Sequence, residues 1–315
     1  YRDVVDLLWF PTGGGKTEAY LGVCAFVIFY RRLLNEPVAD GVTIIMRYTL
    51  RLLTIQQFER ASALICACEY LRKEHNIPGG EISIGLWIGS SMTPNYLSDA
   101  ADKLNESDKN SSSVECDPMQ VTTCPWCGAQ IERSCYSIED SMIIKCNNNK
   151  NCRFHDGLPI YLIDEDIYKK KPTLLLSTVD KFARLVWEEN SKVLFGDGKT
   201  LPPELILQDE LHLISGPLGS IDGIYELAIE KLCTKKGFKP KYIASTATVR
   251  NAANQIKSLY DKDMFQFPPN GISVDDSFFA IKASKKDKPA RRYIGLCELG
   301  GNVSDLLIRV YSNLI

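Results

Sequence analysis

The chain has 315 residues, 45% hydrophobic and 24% charged, with a net charge of −2 and a pI near 6.0. These values fit a globular protein with a sizeable core and exclude a disordered tail or a collagen. The longest apolar run, Tyr20 to Tyr30, falls short of the roughly 20 residues a membrane-spanning helix needs.

No overall basic field advertises nucleic acid, so any such contact has to be a local track. Neither a signal peptide nor a membrane anchor is visible, and a cytoplasmic location is expected. Val4 to Phe10 reads as a short buried strand, stopped by Pro11-Thr12-Gly13-Gly14-Gly15 and followed by a buried helix. A chain opening directly on a strand implies residues before Tyr1. A second strand, Val42 to Arg47, leads into a helix from about Leu52 to His75, and a third strand runs from Ile82 to Ile88.

From Ser107 to Asp117 the chain turns polar and reads as a linker. A cysteine-rich segment follows, to about residue 160. Then come a strand at Thr173 to Ser177, a helix at Val179 to Glu189, and strands at Leu205 to Asp209 and Lys241 to Ser245. Strands alternating with helices call for an α/β fold, a doubly wound parallel sheet with ligands at the carboxyl ends of its strands, where Asp209 and Ser245 fall.

Gly15-Lys16-Thr17 is the core of a phosphate-binding loop, in which backbone N–H groups wrap the phosphates, Lys neutralises their oxygens and the hydroxyl binds Mg²⁺. Phe10 stands where the usual pattern has its first glycine. Gly13, Gly14 and Gly15 still permit the close backbone approach that ATP requires, and Thr12 joins them in the ATP-binding loop. Downstream, the apolar run Leu205 to Gln208 delivers Asp209-Glu210-Leu211-His212. Asp209 is placed to hold Mg²⁺ through water, and Glu210 to orient and deprotonate the attacking water. His212, one of three histidines, is placed to link this site to neighbouring groups.

Cys124-Pro125-Trp126-Cys127-Gly128 is a metal knuckle, and Cys146 and Cys152 supply a second pair. Two close pairs of thiolates close a tetrahedral structural Zn²⁺ shell, a zinc ribbon with no open catalytic position. The second pair is wider than usual, so His155, Cys135 and Cys116 remain alternatives for one ligand. A disulfide, a redox pair and unliganded buried thiols are the competing readings. Gly128 and Asn147-Asn148-Asn149 suit turns with positive φ. The polar linker is expected to keep this segment's core separate from that of the lobe. Cys24, Cys66, Cys68, Cys233 and Cys297 read as packing residues.

In order and spacing, these motifs resemble those of superfamily 2 helicases of the DExH type. Pro11 to Thr17 looks like motif I, Asp209 to His212 like motif II, and Thr246-Ala247-Thr248 like motif III, which couples hydrolysis to movement through Thr246 and Thr248. Met46 to Gln57 resembles motif Ia, with Tyr48 in place of the usual proline, and Ser177 to Phe182 resembles motif Ib. The resemblance implies a RecA-like lobe, with strand contacts from Thr49, Arg51, Gln56, Thr178 and Lys181. Two longer strings, Phe10 to Gly22 and Asp209 to Gly219, together with the cysteine insertion, resemble the DrmA helicase family of the DISARM antiphage defence system. That narrower resemblance implies a bacterial motor acting on DNA beside a protein of the DrmB type.

The organisation expected is a first RecA-like lobe at 1–106 and 161–265, the inserted cysteine-rich segment at 107–160, and a linker with the start of a second lobe at 266–315. Arg291 to Leu296 and Gly301 to Leu314 read as that lobe's first strand and helix. No Q-x-x-G-R-x-x-R string, the usual source of an arginine finger, occurs. The chain taken alone is therefore expected to be nearly inactive. Two functions stay open: an ATP-dependent DNA translocase or helicase, and a nucleotide-gated zinc-bearing scaffold that binds nucleic acid and recruits partners without processive movement. Glu210 favours the first, because a pure switch needs no carboxylate to activate water.

Overall fold

The computed structural model describes residues 1–9, 15–34, 39–49, 51–105, 116–148, 151–234, 237–246 and 251–269, and parts of 271–314. In chain order the elements are β1 (Val4–Trp9), α1 (Lys16–Leu34), β2 (Ile44–Tyr48), α2 (Arg51–Glu74), β3 (Ile84–Trp87), α3 (Leu97–Asn105), β4 (Tyr136–Ile138), β5 (Met142–Ile144) and β6 (Ile160–Tyr161). There follow α4 (Asp164–Lys170), β7 (Leu174–Thr178), β8 (Leu205–Gln208), α5 (Gly216–Thr234), β9 (Lys241–Thr246), α6 (Ala252–Tyr260), β10 (Asp263–Phe267) and α7 (Val303–Leu314).

Eight strands form one sheet in the order β10-β1-β9-β8-β2-β7-β3-β6, and every pairing in it is parallel. Parallel strands are covered on both faces, which is why they appear in the sequence as near-continuous apolar runs. Alternate residues serve opposite layers. Ile44, Met46 and Tyr48 of β2 pack with Tyr20, Cys24 and Ile28 of α1 and Phe58 and Ile65 of α2. Ile45 faces the other layer, with Ile229 and Cys233 of α5 and Ile256 of α6. The sheet is thus doubly wound, as its pattern of strands and helices foretold, and RecA-like, as the resemblance implied.

A fully buried arginine pins the first helix to the loops beneath the sheet. Arg31, near the end of α1, donates to the carbonyls of Ala39 (3.0 Å), Asp40 (3.2 Å), Val42 (3.4 Å), Leu201 (2.8 Å) and Pro202 (2.7 Å). Burial pushes its pKa down to about 10, still charged at neutral pH.

Two expectations need correction. Val179 to Glu189 is not an α-helix but a 3₁₀ segment, Val179–Val186, followed by a second, Glu189–Phe195. The reason lies in the three-residue repeat: Val179, Phe182 and Leu185 all enter the core, which suits three residues per turn. Nor does the cysteine segment have a core of its own. Val121, Ile131, Ile144 and Phe154 belong to the same apolar cluster as Phe58 and Ile65 of α2. Trp126 packs between Tyr70 (centroids 5.1 Å apart) and Phe154 (5.5 Å), and Arg133 donates to the carbonyls of Lys103 (3.1 Å) and Leu104 (2.6 Å) at the end of α3. So small and polar a segment buries its apolar side chains most economically against the lobe. Most of the expected linker, residues 106–115, lies outside the described residues.

Tyr1–Asn270 forms one compact unit and Gly271–Ile315 a second. In the second, the expected helix is present as α7, amphipathic and with no buried residue. Residues 294–297 carry no strand, and Arg291 to Tyr293 lie outside the described residues.

Arg31→Met keeps the length of the side chain but leaves five carbonyls without their donor. The unfolding free energy is expected to fall by about 3 kcal/mol or more. Urea denaturation of the variant beside the wild-type chain checks this.

Candidate active site

The site forms where β1, β8 and β9 end, because β9 lies between the strand that feeds the glycine loop and the strand that carries the acidic box. Gly15 takes φ +82°, a left-handed conformation that a side chain would strain, and its carbonyl accepts from Ala19 N–H at 3.1 Å in the first turn of α1. Lys16 and Thr17 open α1, both partly exposed. Thr12, Gly13 and Gly14 lie outside the described residues, as do Thr248 and the first-glycine position, Phe10.

Asp209 ends the β8 run and is nearly buried, at 7% exposure. A carboxylate there needs donors to replace lost water. Its Oδ1 accepts from the Ser245 hydroxyl of β9 and from Glu210 N–H (2.9 Å), and its Oδ2 accepts from the Tyr20 hydroxyl of α1 (3.1 Å). The same Tyr20 hydroxyl lies 3.2 Å from Thr17 Oγ1 and 3.1 Å from the Tyr48 hydroxyl. A phenol has one proton. With that proton on the carboxylate, the Thr17 and Tyr48 hydroxyls donate to the Tyr20 oxygen, and Thr17 keeps its lone pairs free for a cation. Burial, and next the charge of Asp209, raise the Tyr20 pKa well above the ordinary phenol value, so it stays a donor.

Sequence reasoning missed Tyr20 and Tyr48. Tyr20 sits in an apolar run and reads as core, which it also is. Tyr48 did leave a signal, as the departure from the motif Ia proline: burial raises its pKa too, and its hydroxyl completes the chain from β2 to the acidic box.

Glu210 takes φ +48° and ψ 49°, a costly conformation for a non-glycine residue and one that clusters at functional sites. It turns the chain directly after Asp209. His212 Nδ1 lies 3.2 Å from Glu210 Oε2 and 3.2 Å from Thr246 Oγ1, so one imidazole touches both the acidic box and the end of β9.

The strand-contact candidates do not gather on one exposed face. Thr49 and Thr178 follow neighbouring registers at the ends of β2 and β7, and neither Oγ1 has a hydrogen-bond partner. Gln56 is exposed on α2, and the Arg51 side chain lies outside the described atoms. Lys181 is 1% exposed: its Nζ donates to Ile88 O (2.9 Å) and pairs with Asp164 (2.5 Å).

In the inserted segment, the sulfurs of Cys124, Cys127, Cys146 and Cys152 lie within 4.8 Å of one another. Cys124 and Cys152 are 3.8 Å apart and Cys127 and Cys146 3.5 Å, close to the edge of about 3.8 Å that a tetrahedron with 2.3 Å Zn–S bonds requires. Such separations are far too long for disulfides. Backbone N–H groups of Asn148 and Phe154 donate to Cys146 and Cys152 sulfurs (3.4 Å each), as bound thiolates favour. The residues present therefore fit a structural Zn²⁺. The alternatives fall away: Cys135 donates to Asn147 Oδ1 (3.0 Å), His155 Nδ1 lies 3.0 Å from Cys152 O, and Cys116 lies outside the cluster. Gly128 takes φ +76°, whereas Asn147 and Asn148 do not enter the left-handed region and Asn149 lies outside the described residues.

No family model matches the chain. Over its whole length it is 42% identical to the DISARM protein DrmA of Bacillus paralicheniformis, and it spans 33% of that protein. Among solved structures it is similar to the DUF1998 helicase MrfA bound to DNA (14% identity, TM-score 0.46, covering 84% of this chain and 23% of that one). It is also similar to the Mycobacterium smegmatis helicase Lhr bound to single-stranded DNA and AMP-PNP (15% identity, TM-score 0.47, 87% and 25%). The likeness to DrmA bears out the resemblance drawn from the motifs. Among the described residues, no helix is long and apolar enough to cross a membrane.

Tyr20→Phe removes one hydroxyl and keeps the ring in the core. It is expected to raise the Mg²⁺ concentration needed for half-maximal ATP binding by roughly tenfold, the effect of losing a hydrogen bond to a charged group. Calorimetric titrations at varied Mg²⁺ measure it. Elemental analysis should find one Zn²⁺ per chain, and less in Cys146→Ser. Because the segment shares the lobe's core, that variant should also lower the thermal midpoint of the whole first unit. An unchanged midpoint would show the two cores to be independent.

Proposed function

We propose that this chain is the ATP-binding part of an ATP-dependent DNA translocase or helicase of superfamily 2 that acts in antiphage defence. The observation that carries the reading is the Tyr20 hydroxyl, which joins Thr17 of the glycine loop to Asp209 of the acidic box. A hydroxyl and a carboxylate held on one phenol are the two groups that a Mg-nucleotide needs side by side.

In this reading Lys16 neutralises the β and γ oxygens, Thr17 and Asp209 hold Mg²⁺, and Glu210 orients and deprotonates the attacking water. His212, touching both Glu210 and Thr246, carries the state of the acidic box to motif III. Gln56, exposed on α2, serves the phosphates of one strand, while Thr49 and Thr178, whose hydroxyl oxygens are buried, stand behind it at the ends of β2 and β7. Lys181 supports that strand end from within rather than touching phosphate. The four cysteines hold structural zinc.

Residues 1–106 and 161–265 form the motor lobe in this reading, 107–160 the insertion, and 266–315 a linker with the start of a second lobe. The likeness to DrmA supports a defence role, and a partner of the DrmB type is what the resemblance drawn from the motifs implies. The chain spans 33% of that relative, so the arginine that completes the cleft is expected from the rest of the protein. Without it, turnover drops by about 10³ to 10⁵.

Lys16→Ala should weaken ATP binding, whereas Glu210→Gln should leave binding intact and abolish hydrolysis. The experiment is nucleotide affinity measured in this chain beside DNA-stimulated turnover in the full-length protein. Wild-type turnover in the Glu210 variant would remove Glu210 from the chemistry.

A further inference from the structure

The carboxylate assigned to the attacking water hangs from a backbone that few residues adopt. Glu210 takes φ +48° and ψ 49°, and the chain then makes a single 3₁₀ turn, Leu211–Leu213. A non-glycine residue stays in the left-handed region only where its surroundings over-determine it. Here the surroundings come from α5 and α6. Leu211 and Ile214 are buried with Ala252, Ile256 and Leu259 of α6. Gly219 of α5 lies so near that a Cβ there would stand 3.2 Å from the Ile214 carbonyl oxygen. A polar contact completes the hold: the Gln255 side chain of α6 donates through Nε2 to Leu211 O at 2.8 Å and to Ile214 O at 2.6 Å.

Both partners of that amide are carbonyl oxygens, which only accept, so the group facing them is the NH₂ and each of its two protons serves one oxygen. The Ile214 N–H already returns to Leu211 O at 3.0 Å. One glutamine therefore closes the turn at both ends. Its helix is also the first after β9, so the tie joins the stretch that follows Thr246 to the acidic box. His212 makes the companion contact, touching the Glu210 carboxylate and Thr246, while Gln255 grips the backbone just beyond Glu210.

We propose that Gln255 is a positioning residue for Glu210: by clamping the turn at 211–214 it fixes the backbone from which the carboxylate meets the attacking water. This role rests on the reading of Glu210 given above. Asp209, which that reading assigns to Mg²⁺, is held by Ser245 and Tyr20 instead. Loss of the clamp thus displaces Glu210 and leaves ground-state nucleotide binding in place. A reacting group misplaced by about 1 Å costs on the order of 10²-fold in rate. A glutamine that served stability alone would lower binding and hydrolysis together.

The test uses the full-length protein with DNA, and reads single-turnover ATP hydrolysis beside ATP affinity. Gln255→Leu keeps the bulk and removes both donors, so hydrolysis should fall by roughly ten- to 100-fold while ATP affinity stays at the wild-type value. Gln255→Glu keeps the shape, offers no donor as a carboxylate, and regains one O–H when protonated. The two carbonyls beside it favour the protonated form and raise its pKa. Its rate relative to wild type should therefore recover in part as the pH is lowered below neutral, and that of Gln255→Leu should not. Wild-type hydrolysis in Gln255→Leu, a loss of ATP affinity as large as the loss of rate, or a Gln255→Glu rate ratio that ignores pH would overturn the proposal. Glu210→Gln, measured alongside, separates the two readings. Wild-type hydrolysis in that variant ends the role of Glu210 itself, whereas its loss beside unaffected Gln255 variants ends only the role of the glutamine.

Discussion

The carboxylate of Asp209 sets the terms for everything around it. It sits at the end of a buried strand, where a charge is tolerated only if donors replace the lost water. The donors come from three places: Ser245 on β9, the Glu210 amide in the turn, and Tyr20 on α1. One charge thereby fixes the spacing of helix, turn and neighbouring strand. Hydrogen bonds to a charged acceptor are about twice as strong as neutral ones, so each of the three elements is held where its own chemistry requires it. Thr17 stands one hydroxyl away from the carboxylate, and Glu210 one residue away, in a backbone conformation that few residues adopt.

Two chains of polar contacts leave this centre. One passes through Tyr20 to Tyr48 at the end of β2, next to Thr49 and, across the sheet, Thr178. The other passes through Glu210 and His212 to Thr246 at the end of β9. Both start on side chains that meet the phosphates or the water in the proposed chemistry, and both end at strand termini on the same edge of the sheet. The glycine loop and the strand ends are thus joined by polar contacts inside a layer that is otherwise apolar. Such contacts have discrete alternatives, whereas close-packed side chains resist gradual deformation.

Most of the sheet was legible in the sequence because buried parallel strands are continuous apolar runs, and the two functional loops stand at the ends of two of them. What escaped notice escaped for physical reasons. β6 has two residues, too few for any period, and β10 alternates instead of running apolar. α5 begins with three glycines in eight residues, which argues against a helix on propensity, and burial of Ile229 and Cys233 overrides it. The four cysteines were readable because metal shells depend on local spacing. Lys181 was not, because a motif lysine near the start of a helix resembles a solvated side chain, and its carboxylate partner lies seventeen residues earlier.

That partner explains how the four-cysteine insertion can sit between β3 and β6 without loosening the lobe. α4 is only seven residues long, yet it is gripped at both ends of its first turn. Asp166 Oδ2 accepts from Met142 N–H of the inserted hairpin at 2.9 Å, while Asp164 pairs with Lys181 just beyond β7. The insertion therefore bears on the end of β7 through one short helix and on α2 through Trp126 and its aromatic neighbours. A buried ion pair contributes little net stability compared with a well-packed apolar substitute, but breaking one side of it is costly. The Asp164–Lys181 pair thus ties the first turn after β7 to α4. The four-cysteine cluster and the inserted hairpin lie on the other side of that tie, joined to α4 through Asp166.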